Sequence, residues 1–578
     1  MKRLIVVALL LALIPALDSN GSENGGRSPS SPIAATEARL RFDVTLSRSA
    51  AAQIAELGLT LPVNGRLYVI ITKDDRREPR YQTGPAGVPF WGKDVRDFAP
   101  GDVVSLAAAD GEIVGYPLAS LEEIPTGEYF VQAFLNVYSR FSRSDGHMLE
   151  MHLNSGAGQN IWRAPGNAHS AVKRVNLDPG AGGAIRLEIS DVIPPLEAVP
   201  PGGSLQQGNP KDRGDLVRFV KIRSDRVSEF WGRDMYIGAN VLLPSDYWES
   251  PERRYPVIYL QDHFPGRAAP FRYGADGSRG GFTSYWDSSE SPKMIVVTFR
   301  DANPFYDTSY SVNSANLGPY GDALVRELIP HLEREFRIIA EPWARITAGG
   351  STGGWEALAL QIFYPDYFGG AWGWCPDPVD FHYYQIVDIY EDENAYALGN
   401  EWVKVERPSS RRFDGNVLTT MRQENYYERA VGPDSRSGGQ WAIWEAVFGP
   451  VGDNGHPARI WDPLSGAIDR DVAERWRDYD LHQHLRRNWS SIGPKLSGKL
   501  HIATGDMDTF YLENAVYRLE EFLTTVDEPP AEAVIEYGRR KPHCWIGLSP
   551  SGSGAEMSTA EFIEVVDAYL KDYSGGAW

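Results

Sequence analysis

The carboxyl-terminal two-thirds of this sequence is predicted to form an α/β fold, a mostly parallel sheet with helices on both faces, after a β-rich amino-terminal domain. Beyond residue 214, apolar strand patterns alternate with amphipathic helical patterns, as is typical of parallel sheets. Before residue 194, short alternating segments are separated by Gly, Pro and Asp turns, which is typical of a β-sandwich. At 578 residues the chain is also too long for one ordinary core.

The amino-terminal end has the pattern of an export signal. Lys2 and Arg3 precede an almost wholly apolar run at 4–16, which is shorter than the roughly 20 residues that a membrane-spanning helix needs. We therefore predict a signal peptide over residues 1–19, export to the periplasm or the extracellular space, and a low-complexity linker over 20–38. An uncleaved membrane anchor is the alternative, because no clean cleavage motif follows the run.

The remaining chain divides at a Pro/Gly-rich linker, residues 194–214. We predict a β-sandwich-like domain over 39–193, in which the pattern at 50–57 is the longest convincing helix. The α/β domain is predicted over 215–578, and within it a cap-like insertion rich in Trp, Tyr, Arg and Asp covers about 376–498. Outside the insertion, strands are expected at 233–243, 255–261, 294–299, 343–348, 368–374, 499–504 and 533–537, and helices at 320–336, 353–362, 512–523 and 558–573.

Composition and charge restrict the possible partners. A net charge of −20, from 77 acidic and 57 basic residues, argues against nucleic acid and, after signal cleavage, against a membrane surface. No metal-ligand spacing is present, since His482 and His484 are two apart and do not share a helical face, so neither a metal nor a cofactor is expected. The sequence leaves the oligomeric state open.

One GxSxG motif, Gly349 to Gly353, points to nucleophilic catalysis. It lies between a predicted strand and a predicted helix, which is the strand-turn-helix setting of a nucleophile elbow. Small residues around Ser351 allow a sharp turn that exposes its hydroxyl, and the Thr352 amide is placed beside a developing oxyanion. The alternative is an ordinary Gly-rich turn between a strand and a helix.

A nucleophilic serine needs a base and an acid that orients the base. His543 follows the last predicted strand in a loop, so we predict that it is the base. The acid is expected in the loop after the preceding strand, where Asp506 and Asp508 both occur. Spacing alone does not choose between them.

At these residues the chain resembles the putative esterase family of α/β-hydrolases, which includes esterase D, S-formylglutathione hydrolase, siderophore esterases and feruloyl esterases. The resemblance covers about residues 230–570 without much of the insertion. It depends on four motifs: Tyr255-Pro-Val-Ile-Tyr-Leu260, the Gly349 to Gly354 elbow, the G-x-x-D-x-F stretch from Gly505 to Phe510, and His543-x-Trp545.

The resemblance implies an α/β-hydrolase fold and makes Asp508 the triad acid, which leaves Asp506 as a neighbouring loop residue. It also implies a second oxyanion donor near Phe264. Here the sequence departs from the family, because Gln261-Asp262-His263-Phe264 stands where relatives commonly carry His-Gly. Asp262 or His263 can instead contact substrate, and a plain surface turn is equally compatible.

The leading functional hypothesis is hydrolysis of a carboxylic ester through an acyl-enzyme, with Ser351, His543 and Asp508 as the triad. We expect a small-molecule or polysaccharide-linked ester as substrate, with glycan-linked or phenolic esters first, because of the predicted export, the accessory β-rich domain and the aromatic insertion. A serine peptidase of the same fold is one alternative. A non-catalytic carbohydrate- or surface-binding protein with a degenerate hydrolase domain is another.

Two further expectations concern the insertion and the cysteines. Because both ends of the insertion emerge at the carboxyl edge of the sheet, it is predicted to cover Ser351 as a cap. It offers candidate substrate contacts, although core packing and surface charge balance are the plainer interpretations: Trp402, Trp441, Trp444, Trp461, Arg407, Arg411, Arg412, Arg422, Arg429 and Arg436. Cys375 and Cys544 are also expected at this edge, where they form either a disulfide that holds the histidine loop or two free thiols.

Overall fold

The computed structural model describes residues 39–156, 160–261, 280–400 and 402–578. The predicted signal peptide and linker lie outside these residues, as do Asp262, His263 and Phe264. Arg39–Trp578 form one compact unit. No helix in the described ranges has both the length and the apolar character needed to cross a bilayer.

The amino-terminal half is β-rich, as predicted. Its strands are β1 (Leu40–Leu46), β2 (Val63–Thr72), β3 (Phe90–Phe98), β4 (Val103–Ala107), β5 (Val114–Tyr116), β6 (Gly127–Ser142), β7 (Met148–His152), β8 (Ala168–Ser170), β9 (Lys173–Leu177) and β10 (Gly183–Val192). They form one hydrogen-bonded sheet in the order β4-β1-β10-β8-β6-β2-β3-β5, with β7 and β9 paired to β6. The helix α1 (Arg48–Glu56) lies where the sequence predicts one, and Ser47 caps it. Packing as a sandwich stays a prediction.

The second half contains the remaining strands and helices. The strands are β11 (Val217–Ser224), β12 (Met235–Leu242), β13 (Val257–Gln261), β14 (Ile295–Arg300), β15 (Asn313–Ser314), β16 (Gly318–Pro319), β17 (Arg345–Gly350), β18 (Gly370–Trp374), β19 (Ala397–Gly399), β20 (Lys404–Glu406), β21 (Pro408–Arg411), β22 (Val417–Thr420), β23 (Leu500–Gly505) and β24 (Val534–Gly538). The helices are α2 (Asp225–Trp231), α3 (Gly281–Trp286), α4 (Tyr320–Ala323), α5 (Ile329–Glu335), α6 (Thr352–Phe363), α7 (Met421–Val431), α8 (Gln440–Phe448), α9 (Arg470–Trp476), α10 (Leu481–Leu496), α11 (Glu513–Thr525) and α12 (Thr559–Tyr573).

Eight of these strands form a mixed sheet in the order β11-β12-β14-β13-β17-β18-β23-β24. All neighbours from β14 to β24 are parallel, whereas β11 and β12 run antiparallel to their neighbours. The seven strands predicted in this half are all present. β11 was not predicted, and its alternation of apolar residues with Arg and Lys suits its place at the sheet edge. Because β17, β23 and β24 are parallel, the loops after them meet at one edge.

The insertion folds into two small hairpins, β19-β20 and β21-β22, and helices α7 to α10. Helix α7 packs on the amino-terminal sheet, where Ala430 and Val431 share a buried cluster with Tyr68, Phe90 and other sheet residues. The Arg66 guanidinium donates to the Ala430 carbonyl at 3.1 Å, and the Tyr68 hydroxyl donates to the Val431 carbonyl. The insertion therefore touches the sheet that precedes the linker.

Candidate active site

Ser351 lies in a sharp turn between β17 and α6, with φ of 58° and ψ of −124°. Such a backbone conformation is strained for a residue with a side chain and persists only where its surroundings enforce it. Two glycines allow the turn: a Cβ on Gly349 would lie 2.4 Å from the Gly353 carbonyl oxygen, and one on Gly354 would lie 2.6 Å from that of Trp374. The strand, turn and helix have the geometry of a nucleophile elbow, which is the setting that the motif predicts.

The three predicted triad residues come together at the carboxyl edge of the sheet. His543 Nε2 lies 2.9 Å from Ser351 Oγ, and His543 Nδ1 lies 2.7 Å from Asp508 Oδ2. Asp508 is fully buried, and its second oxygen accepts the Phe510 amide at 2.8 Å. Burial lowers the pKa of His543, but the charge and hydrogen bond of Asp508 outweigh it and hold that pKa well above 6.5.

Asp506, the other candidate acid, has a backbone amide as its partner. Its carboxylate accepts the Arg540 amide and so braces the turn that leads to His543. The backbone of Asp508 is bound by a residue of the insertion. Arg411 Nε donates to the Asp508 carbonyl at 3.0 Å, and the same guanidinium forms an ion pair with Glu513. The turn after β23 thus gives the two carboxylates different partners.

Thr352, the predicted oxyanion residue, is the first residue of α6 and is buried. Its hydroxyl donates to Asp377 Oδ2 at 3.0 Å, and that carboxylate also accepts the Tyr310 hydroxyl at 2.6 Å. Gln440 and Trp444 of α8 reach the same oxygen at 3.2 and 3.3 Å. Burial raises the pKa of Asp377, although these hydrogen bonds oppose the shift.

The sequence patterns do not single out Asp377, because no motif contains it. Its position two residues after Cys375, just beyond the end of β18, is the signal that can identify it. The second predicted oxyanion residue, Phe264, lies outside the described residues, so its placement stays a prediction.

Cys375 and Cys544 both carry free thiols, so of the two alternatives that the sequence left open the structure has the unpaired cysteines. Ligand atoms of the two cysteines and of His543 lie within 4.8 Å of one another, so the cysteines meet beside His543 at the carboxyl edge of the sheet, as expected. The hydrogen bond from Cys375, with the nearby imidazole, lowers the pKa of Cys544, whereas burial raises that of Cys375.

Most candidate substrate contacts in the insertion are structural. Trp441, Trp444 and Trp461 are buried among other aromatic rings, and only Trp402, at 84% exposure, is open to solvent. Five of the six arginines form ion pairs within the protein, and these are Arg407, Arg411, Arg412, Arg422 and Arg436. Of the two interpretations offered by the sequence, core packing is therefore the one that fits Trp441, Trp444 and Trp461.

A buried polar cluster joins the insertion to α11. Asp380 accepts from His382 at 2.8 Å, from His482 at 2.5 Å and from Arg518 at 2.8 Å, while Asp480 accepts the Tyr390 hydroxyl at 3.1 Å. Asp380, His382 and Asp480 offer ligand atoms within 4.8 Å of one another. Because the Arg518 guanidinium already contacts Asp380, the group fits a structural ion-pair network better than a metal centre.

The chain is similar in sequence to known esterases. A family profile described as "Putative esterase" matches residues 228–521. An endo-1,4-beta-xylanase/feruloyl esterase of Xylanibacter ruminicola is 29% identical over 138 residues, which are 23% of this chain and 19% of the relative. An esterase of Mycobacterium tuberculosis is 35% identical over 136 residues, 23% of this chain and 28% of the relative. The chain thus matches less than a third of the length of either relative.

Among solved structures, a ferulic acid esterase is similar at 14% identity and a TM-score of 0.33, over 63% of this chain and 99% of that one. An S-formylglutathione hydrolase from Agrobacterium tumefaciens is similar at 11% identity and a TM-score of 0.31, over 64% of this chain and 98% of that one.

Proposed function

The chain belongs to the putative esterase family, whose profile matches residues 228–521, and from this premise we propose that it is a serine carboxylic-ester hydrolase that works through an acyl-enzyme. In this proposal Ser351 is the nucleophile, His543 the general base and acid, and Asp508 the residue that orients the imidazole. The observation that carries the proposal is the hydrogen-bond chain from Asp508 through His543 to Ser351.

The proposed reaction has two halves. His543 Nε2 takes the Ser351 hydroxyl proton as Oγ bonds to the ester carbonyl carbon, and the carbonyl oxygen becomes an anion beside the Thr352 amide and the amino terminus of α6. The intermediate collapses, the ester C–O bond breaks, and the leaving alkoxide takes the proton from His543. Water then attacks the acyl-enzyme by the same route and releases the acid and Ser351.

For the substrate we propose glycan-linked or phenolic esters. The curated relative of X. ruminicola carries feruloyl esterase in its name, and an apolar run behind Lys2 and Arg3 supports export to a compartment where plant or cell-wall polymers occur. An assay with both ester and peptide-anilide substrates distinguishes this proposal from a peptidase of the same fold. We expect the protein to hydrolyse the esters and to leave the peptide anilides uncleaved.

The role of Ser351 is tested by Ser351→Ala. We expect hydrolysis of a short chromogenic ester to fall at least about a thousandfold, since only binding and oxyanion stabilisation remain. Circular dichroism and the melting temperature should match those of the unsubstituted protein. Activity within tenfold of the unsubstituted protein would contradict the assignment.

The role of Asp508 is tested by a matched pair of substitutions in one loop. Asp508→Asn should lower turnover by about 10³ to 10⁴, because the imidazole loses the carboxylate that fixes its tautomer and stabilises its cation. Asp506→Asn, which changes a carboxylate that accepts the Arg540 amide, should lower turnover less than tenfold. The reverse order would transfer the role to Asp506.

A further inference from the structure

Asp377 contacts the peptide group that carries the proposed oxyanion donor. The Ser351 carbonyl and the Thr352 amide belong to one trans peptide, so they point in opposite directions. The carbonyl accepts the Gly354 amide at 2.9 Å and the Trp355 amide at 3.1 Å from the first turn of α6, and the Asp377 amide at 3.2 Å from beyond β18. The direction of the Thr352 amide is therefore set from the opposite side, in part by Asp377.

The carboxylate of Asp377 holds the same residue through its side chain. Oδ2 accepts the Thr352 hydroxyl at 3.0 Å, and it also accepts Tyr310, Gln440 and Trp444 at 2.6, 3.2 and 3.3 Å. Thr352 is fully buried, so its hydroxyl cannot exchange its contacts for bulk water. With its hydroxyl and the preceding carbonyl both bound to Asp377, Thr352 has little freedom to turn its amide.

The Asp377 carboxylate is itself fixed by two other segments. Tyr310 lies at a φ of 60°, in the left-handed region that is unfavourable for a residue with a side chain. Its hydroxyl reaches both Asp377 and, at 3.2 Å, the Thr352 hydroxyl. From the insertion, Gln440 donates to the Tyr310 hydroxyl as well as to Asp377. One carboxylate thus joins the oxyanion peptide to the insertion.

The chemistry of the donors favours a charged acceptor at this place. Four groups donate to one oxygen of Asp377, which suits an ionised carboxylate because it has only acceptor atoms. Hydrogen bonds to an ionised group are roughly twice as strong as those between neutral groups, so they restrict geometry more firmly. Packing alone does not require a charge here, because an apolar side chain would fill the same volume without the cost of removing a carboxylate from water.

We propose that Asp377 is a positioning residue for ester hydrolysis: through the Thr352 hydroxyl it holds the Thr352 amide in the direction that stabilises the developing oxyanion. The inference rests on the proposed function, because attack by Ser351 on an ester is what creates that oxyanion. Asp377 acts through Thr352 and does not itself touch the substrate.

The test measures hydrolysis of a short chromogenic ester, and its inhibition by a trifluoromethyl ketone, in the full chain. The carbonyl carbon of the ketone bonds to Ser351 Oγ, the hydroxyl proton passes to His543, and the ketone oxygen becomes an anion where the ester oxyanion forms. Asp377→Ala should lower kcat/KM about 10- to 100-fold, which is less than the roughly 10²- to 10³-fold loss on removing an oxyanion donor outright. The inhibition constant should rise by the same factor, whereas a variant with merely less folded protein would keep it unchanged.

A double-mutant cycle tests whether Asp377 acts through Thr352. Thr352→Val removes the hydroxyl that Asp377 accepts and keeps the backbone amide. In that background, Asp377→Ala should lower kcat/KM less than about threefold, because the contact through which it acts is already absent.

Asp480→Ala is the matched control, because Asp480 is also a fully buried carboxylate that accepts several donors, among them the Phe381 amide at 2.9 Å and the Tyr390 hydroxyl at 3.1 Å. It should lower the melting temperature, as Asp377→Ala should, but leave the inhibition constant within about twofold. Asp377→Asn keeps the shape and one acceptor oxygen, so it should fold and show a smaller loss of the same kind, about threefold or more.

Three results would overturn the proposal: kcat/KM within about twofold of the unsubstituted protein in both Asp377 variants, a loss of kcat/KM with an unchanged inhibition constant, or additive losses in the cycle. If Ser351→Ala abolishes hydrolysis while one of these results is found, only the role of Asp377 fails. If Ser351→Ala keeps its activity, the proposed function itself fails, so the two failures are distinguishable.

Discussion

At the scale of single residues, the site depends on a strained serine and a buried carboxylate. The φ of Ser351 is 58°, in a turn that leaves no room for a side chain at Gly349 or Gly354. Asp508 is kept in register by the Phe510 amide and by Arg411, which reaches its carbonyl from the insertion. Both constraints orient atoms before a substrate binds, which is how enzymes lower the reorganisation cost of reaction.

The raised pKa of His543 predicts a pH dependence. The imidazole must be neutral to accept the Ser351 proton, so kcat/KM for a short ester should rise with pH and reach half its plateau above pH 6.5. In Asp508→Asn the stabilising charge is gone and burial lowers the pKa, so the midpoint should move to lower pH while the plateau falls. Asp506→Asn should keep the original midpoint. An unchanged midpoint in Asp508→Asn would contradict this account of the pKa.

The choice between Asp506 and Asp508 shows which features of the site can be predicted from the sequence and which cannot. Strand order predicts an acid in the loop that the structure brings beside His543, but two carboxylates two residues apart are equivalent by spacing. Only the family resemblance favoured Asp508, and the geometry agrees with it: the Asp506 carboxylate meets the Arg540 amide, whereas that of Asp508 meets His543.

At the scale of elements, the insertion is organised by a carboxylate that joins two of its helices. Helix α8 begins at Gln440 with no side-chain cap on its own N-cap residue, Gly439. Glu428 of α7 supplies the cap, since its oxygens accept the Trp441 and Ala442 amides, each at 3.0 Å. Helix α8 in turn places Gln440 and Trp444 on Asp377, so the cap supports the surroundings of Thr352.

Glu428→Ala should therefore destabilise the protein by about 2 kcal/mol, because two buried amides lose their acceptor. Differential scanning fluorimetry should show a clear decrease in melting temperature. Glu521→Ala, on the exposed face of α11, is the control and should change it little. Equal melting temperatures for Glu428→Ala and Glu521→Ala would show that α8 does not depend on this cap.

Helices α7 to α9 of the insertion were not predicted, and for α8 the reason is physical. Helix α8 is buried along its whole length, so its apolar residues show no one-sided pattern. Its tryptophans were considered as ligand faces, but they pack with Tyr384 and with one another. Composition indicates that aromatic rings are present but not whether they face a core or a ligand.

At the scale of the whole molecule, the amino-terminal sheet and the insertion support each other across more than 360 residues of sequence. Arg66 donates to the Ala430 carbonyl, and Tyr427 of α7 stacks edge-on against Phe90 and Tyr116. Sequence patterns predicted two successive domains, but no local periodicity encodes a contact between segments so far apart. By contrast, the strands and helices of the α/β half could be predicted in order, because each of them carries its own local hydrophobic pattern.

This contact predicts that the α/β half is less stable when the amino-terminal sheet is removed. A chain that begins at residue 195 would expose the face of α7 that now covers Tyr68 and Phe90. We expect it to aggregate or to melt at a clearly lower temperature than a chain that begins at Arg39. Full solubility and an equal melting temperature for the shorter chain would show that the sheet is an independent accessory.

The most direct test of the central claim is covalent labelling with a fluorophosphonate, followed by peptide mass spectrometry. Attack by an activated serine displaces fluoride and leaves a phosphonyl group on Oγ, which mimics the first half of the proposed reaction. The account predicts one labelled peptide, modified at Ser351, with ester hydrolysis lost in proportion to labelling, and no label in Ser351→Ala. Labelling at another residue, or full activity in protein labelled completely at Ser351, would contradict it.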